Sequence, residues 1–413
     1  MAEWKTVRLG TIILTNQDTY SPKENWRFVN YLDTGNITMN RVDEIQYINS
    51  AKDKLPSRAR RKVKTNSIIY STVRPNQLHY GIIKEQPDNF LVSTGFTVID
   101  VDCDKAVPDF IYYALTKQEV TEQFQAIAEQ SVSAYPSIKP SDIENLEILL
   151  PDRKIQEKIV AILSSIDEKI KQNNEINNNL AEQIKTICTA WLSDYAPFDG
   201  ALPDHWSKTP LSSIADFVSG YSYKGAELTE SNIAMATIKN FDRKGGFKLD
   251  GYKEIIPSNK LKDTQHAELF DTLVAHTDLT QNAEVIGNAE LVMSKSGYED
   301  IVFSMDLVKV VPKNKRISKF LVAAILQDKK FKAHCLGYVN GTTVLHLSKK
   351  ALLEYQLYLP DDLSVLKPLD ELVTVLYQRI SANIEGITKL EILRDTLLPK
   401  LMSGELDVSN IDI

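Results

Sequence analysis

The stretch from Asp152 to Trp191 contains no Gly or Pro, and its apolar residues recur at Ile155, Ile159, Ile162, Ile166 and Ile170, then at Ile176, Leu180, Ile184 and Ile187. Steps of three and four place them on one face of a helix. Asp152, after Pro151, suits the N-cap, where a carboxylate accepts bonds from the unpaired N–H groups of the first turn. A helix of about 38 residues is ~57 Å long. It cannot bury such a stripe alone and needs a partner helix. The C-terminal region supplies one. After Pro368, which suits a first helical turn, the apolar positions are Leu369, Leu372, Leu376, Ile380, Ile384, Ile387, Leu390 and Leu397.

The two helical stretches resemble each other. Each follows a Leu-Pro-Asp step, Leu150-Pro151-Asp152 and Leu359-Pro360-Asp361, and an offset of 210 places Ile170 on Ile380, Asn173 on Asn383 and Leu180 on Leu390. Any two amphipathic helices align this well, so the helices alone do not establish a duplication. The segments before them do, because similar offsets recur in the same order. Trp206, Leu211 and Ile214 fall on Trp4, Leu9 and Ile12 at 202, Ser304 on Ser93 at 211, and Thr342–Pro360 on Ser133–Pro151 at 209. Ser67–Val73 reads as a strand ended by the turn signal Arg74-Pro75-Asn76, and Phe90–Val101 as a strand with a bend at Gly95. Phe110–Ala128 has helical spacing, and the counterparts in the second half are Phe270–Ala275, Ile301–Val311 and Phe320–Leu326. The order is domain, helix, domain, helix, with interiors that differ more than their borders.

Length and composition narrow the class. A chain of 413 residues suggests two or three domains, and 43% hydrophobic with 25% charged residues is the balance of a folded globular chain. No apolar run reaches the ~20 residues of a membrane span, and MAEWKTVRLG lacks the apolar core of a signal peptide. Cys103, Cys188 and Cys335 are odd in number and far apart, which points to a reducing cytoplasm rather than a disulfide framework. The formal net charge of −7 argues against a small autonomous nucleic-acid binder. Any phosphate contact must come from local positive charge or from partner subunits.

Several segments resemble the specificity subunits of type I restriction-modification enzymes, the HsdS family. They are LRDTLLPKLMSGE (Leu393–Glu405), VSTGFTVI (Val92–Ile99), AYPSIKPSDIENLEILLPD (Ala134–Asp152), KIVAILSSIDEKIKQNNEINNNL (Lys158–Leu180) and HTDLTQNAEVIGNAELV (His276–Val292). One departure stands out. Where the family often has Glu-Glu-Gln after each Leu-Pro-Pro, this chain has Ile155-Gln156-Glu157 and Val365-Leu366-Lys367. The resemblance implies an α+β fold: two duplicated mixed α/β target recognition domains separated by two long antiparallel, coiled-coil-like helices in a pseudo-twofold arrangement. The expected boundaries are 1–151 and 196–361 for the recognition domains, and 152–195 and 362–413 for the spacer helices. The expected helix seam holds Ile159, Ile166, Ile170, Leu180, Leu376, Ile380, Ile387 and Leu390.

The resemblance further implies that each domain reads one half of a bipartite double-stranded DNA site. The helices set the spacing and dock two methyltransferase subunits, and motor-nuclease subunits join for restriction in the prokaryotic cytoplasm, without any membrane partner. One turn of B-DNA is ~34 Å, so helices of ~50–60 Å suffice to hold readers in successive major grooves. S-adenosylmethionine is expected in the partner methyltransferase and no cofactor or metal in this chain.

The densest positive charge is KDKLPSRARRKVK, with Lys52, Lys54, Arg58, Arg60, Arg61, Lys62 and Lys64 against Asp53 alone. A charge run is either a solvated face or, in a DNA reader, a phosphate contact. Arg74, Gln77, His79 and Tyr80 follow, with side chains of types that reach base edges or phosphates. Tyr135 either bonds phosphate or packs. In the second half, Lys239, Asn240, Arg243, Lys244 and Lys248 form a weaker basic loop with Gly245 and Gly246, and Thr277, Asp278, Thr280 and Gln281 sit on a polar turn after a strand.

Catalytic signatures are missing. There is no phosphate-cradling G-x-x-x-x-G-K-[ST], no Asn-Pro-Pro-aromatic tetrad and no H-E-x-x-H pair. His79, His205, His266, His276, His334 and His346 read as surface or packing residues. The chain is expected to be catalytically silent. The alternatives are a DNA-modifying or cleaving enzyme with an unrecognised site, and a coiled-coil scaffold without DNA contact.

Overall fold

A computed structural model describes residues 4–131, 135–280, 282–313 and 316–412. It is a mixed α and β chain dominated by two long helices, Arg153–Leu192 of 40 residues and Lys367–Met402 of 36. At 1.5 Å per residue these are ~60 and ~54 Å long. The Asp152 carboxylate accepts the Ile155 N–H at 3.0 Å, the N-cap bond expected from sequence. Pro368 lies in the first turn of the second helix. Among the described residues no helix is long and apolar enough to cross a membrane.

The chain divides into two compact units, residues 1–168 with 391–413, and residues 169–390. Each long helix therefore gives one part to each unit.

In the first unit Phe96–Val101 lies between Ile13–Thr15 and Ile68–Ser71, and Ile68–Ser71 also pairs with Tyr80–Ile82, all antiparallel. A second sheet has the order Gln46–Asn49, Phe28–Leu32, Phe90–Ser93, Ala59–Arg61, with Phe28–Leu32 and Phe90–Ser93 parallel. The bend expected at Gly95 is where the chain leaves one sheet for the other. Lys5–Arg8 pairs with Glu147–Leu150 as a separate ribbon. The helical spacing of Phe110–Ala128 resolves into two helices, Pro108–Leu115 and Gln118–Glu129.

The second unit has the same plan. Its first sheet runs Ala215–Ser219, Leu307–Pro312, Thr272–Ala275, Ala289–Leu291, and its second runs Lys253–Glu254, Ile233–Ala236, Asp300–Phe303 with the last two parallel. Trp206–Pro210 pairs with Gln356–Pro360, and the helices are Lys319–Leu326 and Lys329–Leu336. The offsets seen in sequence thus reflect a repeated topology.

Each unit buries one part of both helices. In the first, Ile155, Ile159 and Leu163 share a core with Leu398, Leu401 and Met402 and with Phe110 and Phe124. In the second, Ile184 and Cys188 share a core with Leu369, Val373, Tyr377 and Ile380, against which Leu180 and Leu376 pack. Ile166 is buried, whereas Ile170, Ile387 and Leu390 are half-buried. Two positions of the expected stripes face solvent: Ile176 is 42% exposed and Leu372 43%. Val373 and Tyr377 occupy the buried face that Leu372 was expected to fill, because steps of three and four allow either track until a partner surface selects one.

The departure after the Leu-Pro step also has a structural resolution. Gln156 is buried; its amide donates to the Pro151 carbonyl at 2.8 Å, and its Oε1 accepts the Val107 N–H at the start of helix Pro108–Leu115. In the second unit Leu366 is buried instead, and Asp370 takes over the capping, accepting the N–H of Ser318 at 2.8 Å and its hydroxyl. In both units a long-helix side chain satisfies the open start of a short helix.

Leu163, fully buried, and Ile176, exposed, test this division of the central helix. Leu163→Ala is expected to cost about 2–5 kcal/mol and Ile176→Ala less than about 0.5 kcal/mol, read from urea unfolding followed by circular dichroism.

Candidate nucleic-acid interface

In the first unit backbone bonds join the loops at the strand ends into one surface. Arg58 O accepts the Thr94 N–H at 2.9 Å, beside a bulge between Val92 and Ser93. The Gly95 carbonyl accepts both the N–H and the hydroxyl of Thr72, at 2.8 and 2.9 Å. Two residues on, Arg74 takes a left-handed conformation (φ 49°) and donates its N–H to Pro136 O at 3.0 Å. Its guanidinium lies 5.4 Å from the Tyr135 ring centroid, a cation–π contact, and Tyr135 is 59% exposed. The turn Pro75–Gln77 continues to His79, whose Nδ1–H donates to the Ile37 carbonyl at 2.6 Å. Leu78 O and Tyr80 O accept the N–H groups of Met39 and Asn40. Arg58, Arg74, Gln77, His79 and Tyr135 thus belong to one connected set of loops.

Other expected contacts are committed elsewhere. Tyr80 is 4% exposed, stacked on Tyr70 at 5.6 Å, and has no face for DNA. Arg61 lies half-buried in strand Ala59–Arg61; its Nε is buried without a hydrogen-bond partner, and burial lowers the pKa of its guanidinium. Lys62 is paired with Glu24 at 2.6 Å and lies over Trp26. Arg60 is half-buried, whereas Lys52, Lys54 and Arg58 are exposed.

A further element was missed in the sequence. Ile37–Thr38 and Arg41–Val42 form a tight hairpin with Met39 and Asn40 both at positive φ. The Arg41 side chain, on the strand that leaves the turn, is 74% exposed. The signal available was the repeat: the short turns Thr34–Asn36 and Ile238–Asn240 correspond, so this hairpin occupies the place of the basic loop after Asn240.

In the second unit Lys239, Arg243 and Lys244 are exposed, Arg243 being paired with Glu284 at 2.9 Å. Asn240 is fully buried as a structural residue: its Oδ1 accepts the Thr237 N–H and its amide donates to Lys248 O. Thr277 is buried and donates its hydroxyl to Asp306 at 3.0 Å. The polar turn is organised from within by Asp278, whose carboxylate accepts the Thr280 N–H and hydroxyl and the N–H groups of Val285 and Ile286, at 2.7–3.1 Å. Burial opposes the charge on Asp278, but these donors outweigh it and lower the pKa. Asn240 and Thr277 are therefore unavailable as readers, and Thr280 is bonded to Asp278; Gln281 lies outside the described residues. Thr277 is taken by Asp306, beyond another strand, whereas Asn240 and Thr280 are taken by partners within their own turns.

Beside this turn His276 is 7% exposed and its Nε2 has no hydrogen-bond partner. Burial, helped by Lys349, pushes its pKa down to about 4. The neutral ring is the folded form, so its contribution to stability is full above about pH 6.5 and is lost as pH falls toward 4. The difference in unfolding free energy between wild type and His276→Gln is expected to change by about 3 kcal/mol across that window and to be flat above pH 7. Urea titrations at a series of pH values measure it.

Comparison with known proteins agrees with this geometry. Residues 1–182 match the family model described as the type I restriction modification DNA specificity domain. The type I restriction enzyme HindI specificity subunit of Haemophilus influenzae is 24% identical, over 98% of this chain and 100% of its own length. The MjaIX specificity subunit of Methanocaldococcus jannaschii is 23% identical over 75% of this chain and 71% of its own. Among solved structures, the type I restriction-modification system S subunit from M. genitalium shares the fold with a TM-score of 0.54 at 17% identity, covering 97% of this chain and 96% of that one.

Proposed function

We propose, from the match of residues 1–182 to the model of the type I restriction modification DNA specificity domain, that the whole chain is the DNA-sequence-specificity subunit of a type I restriction-modification complex. The observation that carries this reading is the repetition of one strand-and-loop plan in two units with unlike residues at the loop ends. The position reached after strand Ile68–Ser71 holds Arg74 over Tyr135, and the one after Thr272–Ala275 holds the buried carboxylate of Asp278. Two readers of one design with different chemistry suit a bipartite site whose halves differ in sequence.

In this reading residues 1–151 and 196–361 are the target recognition domains, and the helices of 152–195 and 362–413 set the spacing between the half-sites. The helices also offer their solvent-facing residues to two methyltransferase subunits. The adenine chemistry and the S-adenosylmethionine belong to those subunits, and translocation and cleavage belong to motor-nuclease subunits. This chain reads and scaffolds without catalysing. Its negative net charge is consistent with a task in which partners share the phosphate contacts.

Methylome sequencing of cells expressing the chain with its methyltransferase subunit tests the reading. A split, asymmetric methylated motif is expected. Methylation by the purified chain alone, given S-adenosylmethionine, would overturn the non-catalytic role. Phosphate contact is tested separately by salt titration of DNA binding in the assembled methyltransferase. Arg58→Ala is expected to reduce the slope of log K against log salt by about 1 for every sequence, whereas Arg61→Ala, whose guanidinium is partly inside its strand, leaves the slope unchanged.

A further inference from the structure

The loop carrying Tyr135 has a counterpart in the second unit, the start of the Thr342–Pro360 segment that the repeat places on Ser133–Pro151, and none of the expected DNA contacts lies in it. In the first unit Val73 bridges Ser137 and Arg74 bonds Pro136, which brings Tyr135 to the end of strand Ile68–Ser71. In the second unit the corresponding pairs are Thr277 with His346 and Asp278 with Leu345. Here the chain does more than pass by. Leu345–Leu347 turns back antiparallel on Val339–Asn340 in a ribbon, so that it is the middle strand of a three-stranded sheet, with Thr277–Asp278 on its other side.

The root of this ribbon is fixed. Leu347 N–H donates to His276 O at 2.8 Å, Ser348 N–H to Tyr338 O at 3.0 Å, and the Tyr338 hydroxyl to Glu354 at 2.7 Å. Its tip can be closed only by glycine. Gly341 has φ +109°, and a Cβ there would lie 2.2 Å from the Val344 carbonyl oxygen. Beyond the rigid root the side chains of Asn340, Thr343 and His346 are exposed. Two exposed apolar residues are next in sequence to residues that hold this element: Leu279, 67% exposed, follows Asp278, and Met305, 57% exposed, precedes the Asp306 that holds Thr277. The turn residues nearest the strand end, Thr277 and Asp278, are buried and bonded within the protein, so they can position this ribbon but cannot meet a ligand.

We infer that the ribbon Val339–Leu347 is the base-reading element of the second unit. It enters the major groove of duplex DNA, with Thr343 and His346 meeting base edges. The inference rests on the DNA-reading function proposed above and adds the element and the side chains. The major groove admits a two-stranded β-ribbon, and of the three strands here the hairpin pair carries the exposed side chains while Thr277 and Asp278 of the third are buried. A threonine hydroxyl donates and accepts, and an imidazole does either through its two nitrogens, so the pair can address purine N7 and O6 or the exocyclic amines. Leu279 and Met305 are placed to lie against thymine methyl groups.

The experiment is methylome sequencing of cells expressing Thr343→Ala or His346→Ala chains with the methyltransferase subunit, with the wild type in parallel. Both residues are exposed, so folding should be unaffected, and equal thermal midpoints of the purified complexes check this. The expected result is relaxation of one half of the motif at one or two positions, with roughly tenfold or greater loss of discrimination there, while the other half keeps its sequence. An unchanged motif in both variants overturns the inference and leaves the specificity-subunit reading standing. Loss of both halves together overturns it as well, because it assigns the ribbon to the scaffold. A wild-type motif that is not split defeats the underlying function itself and is distinguished by the parallel sample.

Discussion

A helix of some 60 Å with a single apolar stripe holds its register only if its partner cannot slide. Ile and Leu on both sides of a seam do not prevent this, since a shift of one turn exchanges one aliphatic contact for another. In the second unit a polar contact supplies what the aliphatic ones lack. Asn383, 8% exposed, donates its amide to Asn177 Oδ1 at 2.8 Å. A slip would leave a buried amide unpaired, at a cost of about 1–3 kcal/mol, as buried asparagines do in coiled coils. Asn173, the residue that the repeat aligns with Asn383, lies nearby, its amide nitrogen 3.9 Å from where a Cβ on Gly386 would be. In the spacing role proposed for these helices this property matters more than stability, because length would carry the information.

The same helices are tied to the bodies they carry by polar chains that differ between units. In the first, Asp167 accepts the Tyr113 hydroxyl at 2.7 Å and a guanidinium N–H of Arg394 at 3.3 Å, joining both long helices to helix Pro108–Leu115. Burial disfavours the charge on Arg394, but Asp395 and Asp167 together raise its pKa. In the second, the Tyr377 hydroxyl donates to Gln327 at 2.6 Å, Gln327 donates to Glu290 at 3.2 Å, and Glu290 accepts the Gly246 N–H at 2.7 Å. Burial, opposed by the Gly246 bond, pushes Glu290 up to about 7. This line runs from the long helix to the loop of Arg243 and Lys244 through hydrogen-bonded groups only. Such networks are rigid when every member is satisfied, so the position of the loop of Arg243 and Lys244 is set relative to the long helix.

Periodicity and chain order made the frame legible in the sequence. Both long helices, the Asp152 cap, the place of Pro368, the bend at Gly95 and the repeat all rest on local chemistry or on matching offsets. The contact residues were less legible because the fate of a polar side chain depends on which partners the folded backbone brings to it, whether far along the chain or across its own turn. Thr277 looks like a reader until Asp306, after a different strand, takes its hydroxyl. Asn240 looks like part of a basic loop until its amide is seen to close a turn with Thr237 and Lys248. Tyr80 follows Arg74 in a suggestive row, yet it opens strand Tyr80–Ile82, and its ring belongs to the aromatic cluster of Tyr70 and Tyr112. The repeat held more than the composition of any loop revealed. Once the units are aligned, the hairpin at Met39 and the ribbon at Gly341 occupy the places of loops already identified in the opposite copy.

That division explains how a chain of this design can change what it reads. The strands and helices of each unit are fixed by cores that tolerate little change in volume. The loops at one set of strand ends carry few buried apolar groups and can diverge at small cost to stability. Arg74 and Asp278 show how far divergence has gone, a cation stacked on an exposed ring in one unit and a buried carboxylate tying its own turn in the other. The carboxylate does not forfeit the site. By holding the 278–286 turn it positions the paired strand Leu345–Leu347 and the tip beyond it. Specificity then passes to a ribbon whose only fixed requirement is the glycine that closes it, leaving the exposed positions free to vary with the bases to be read.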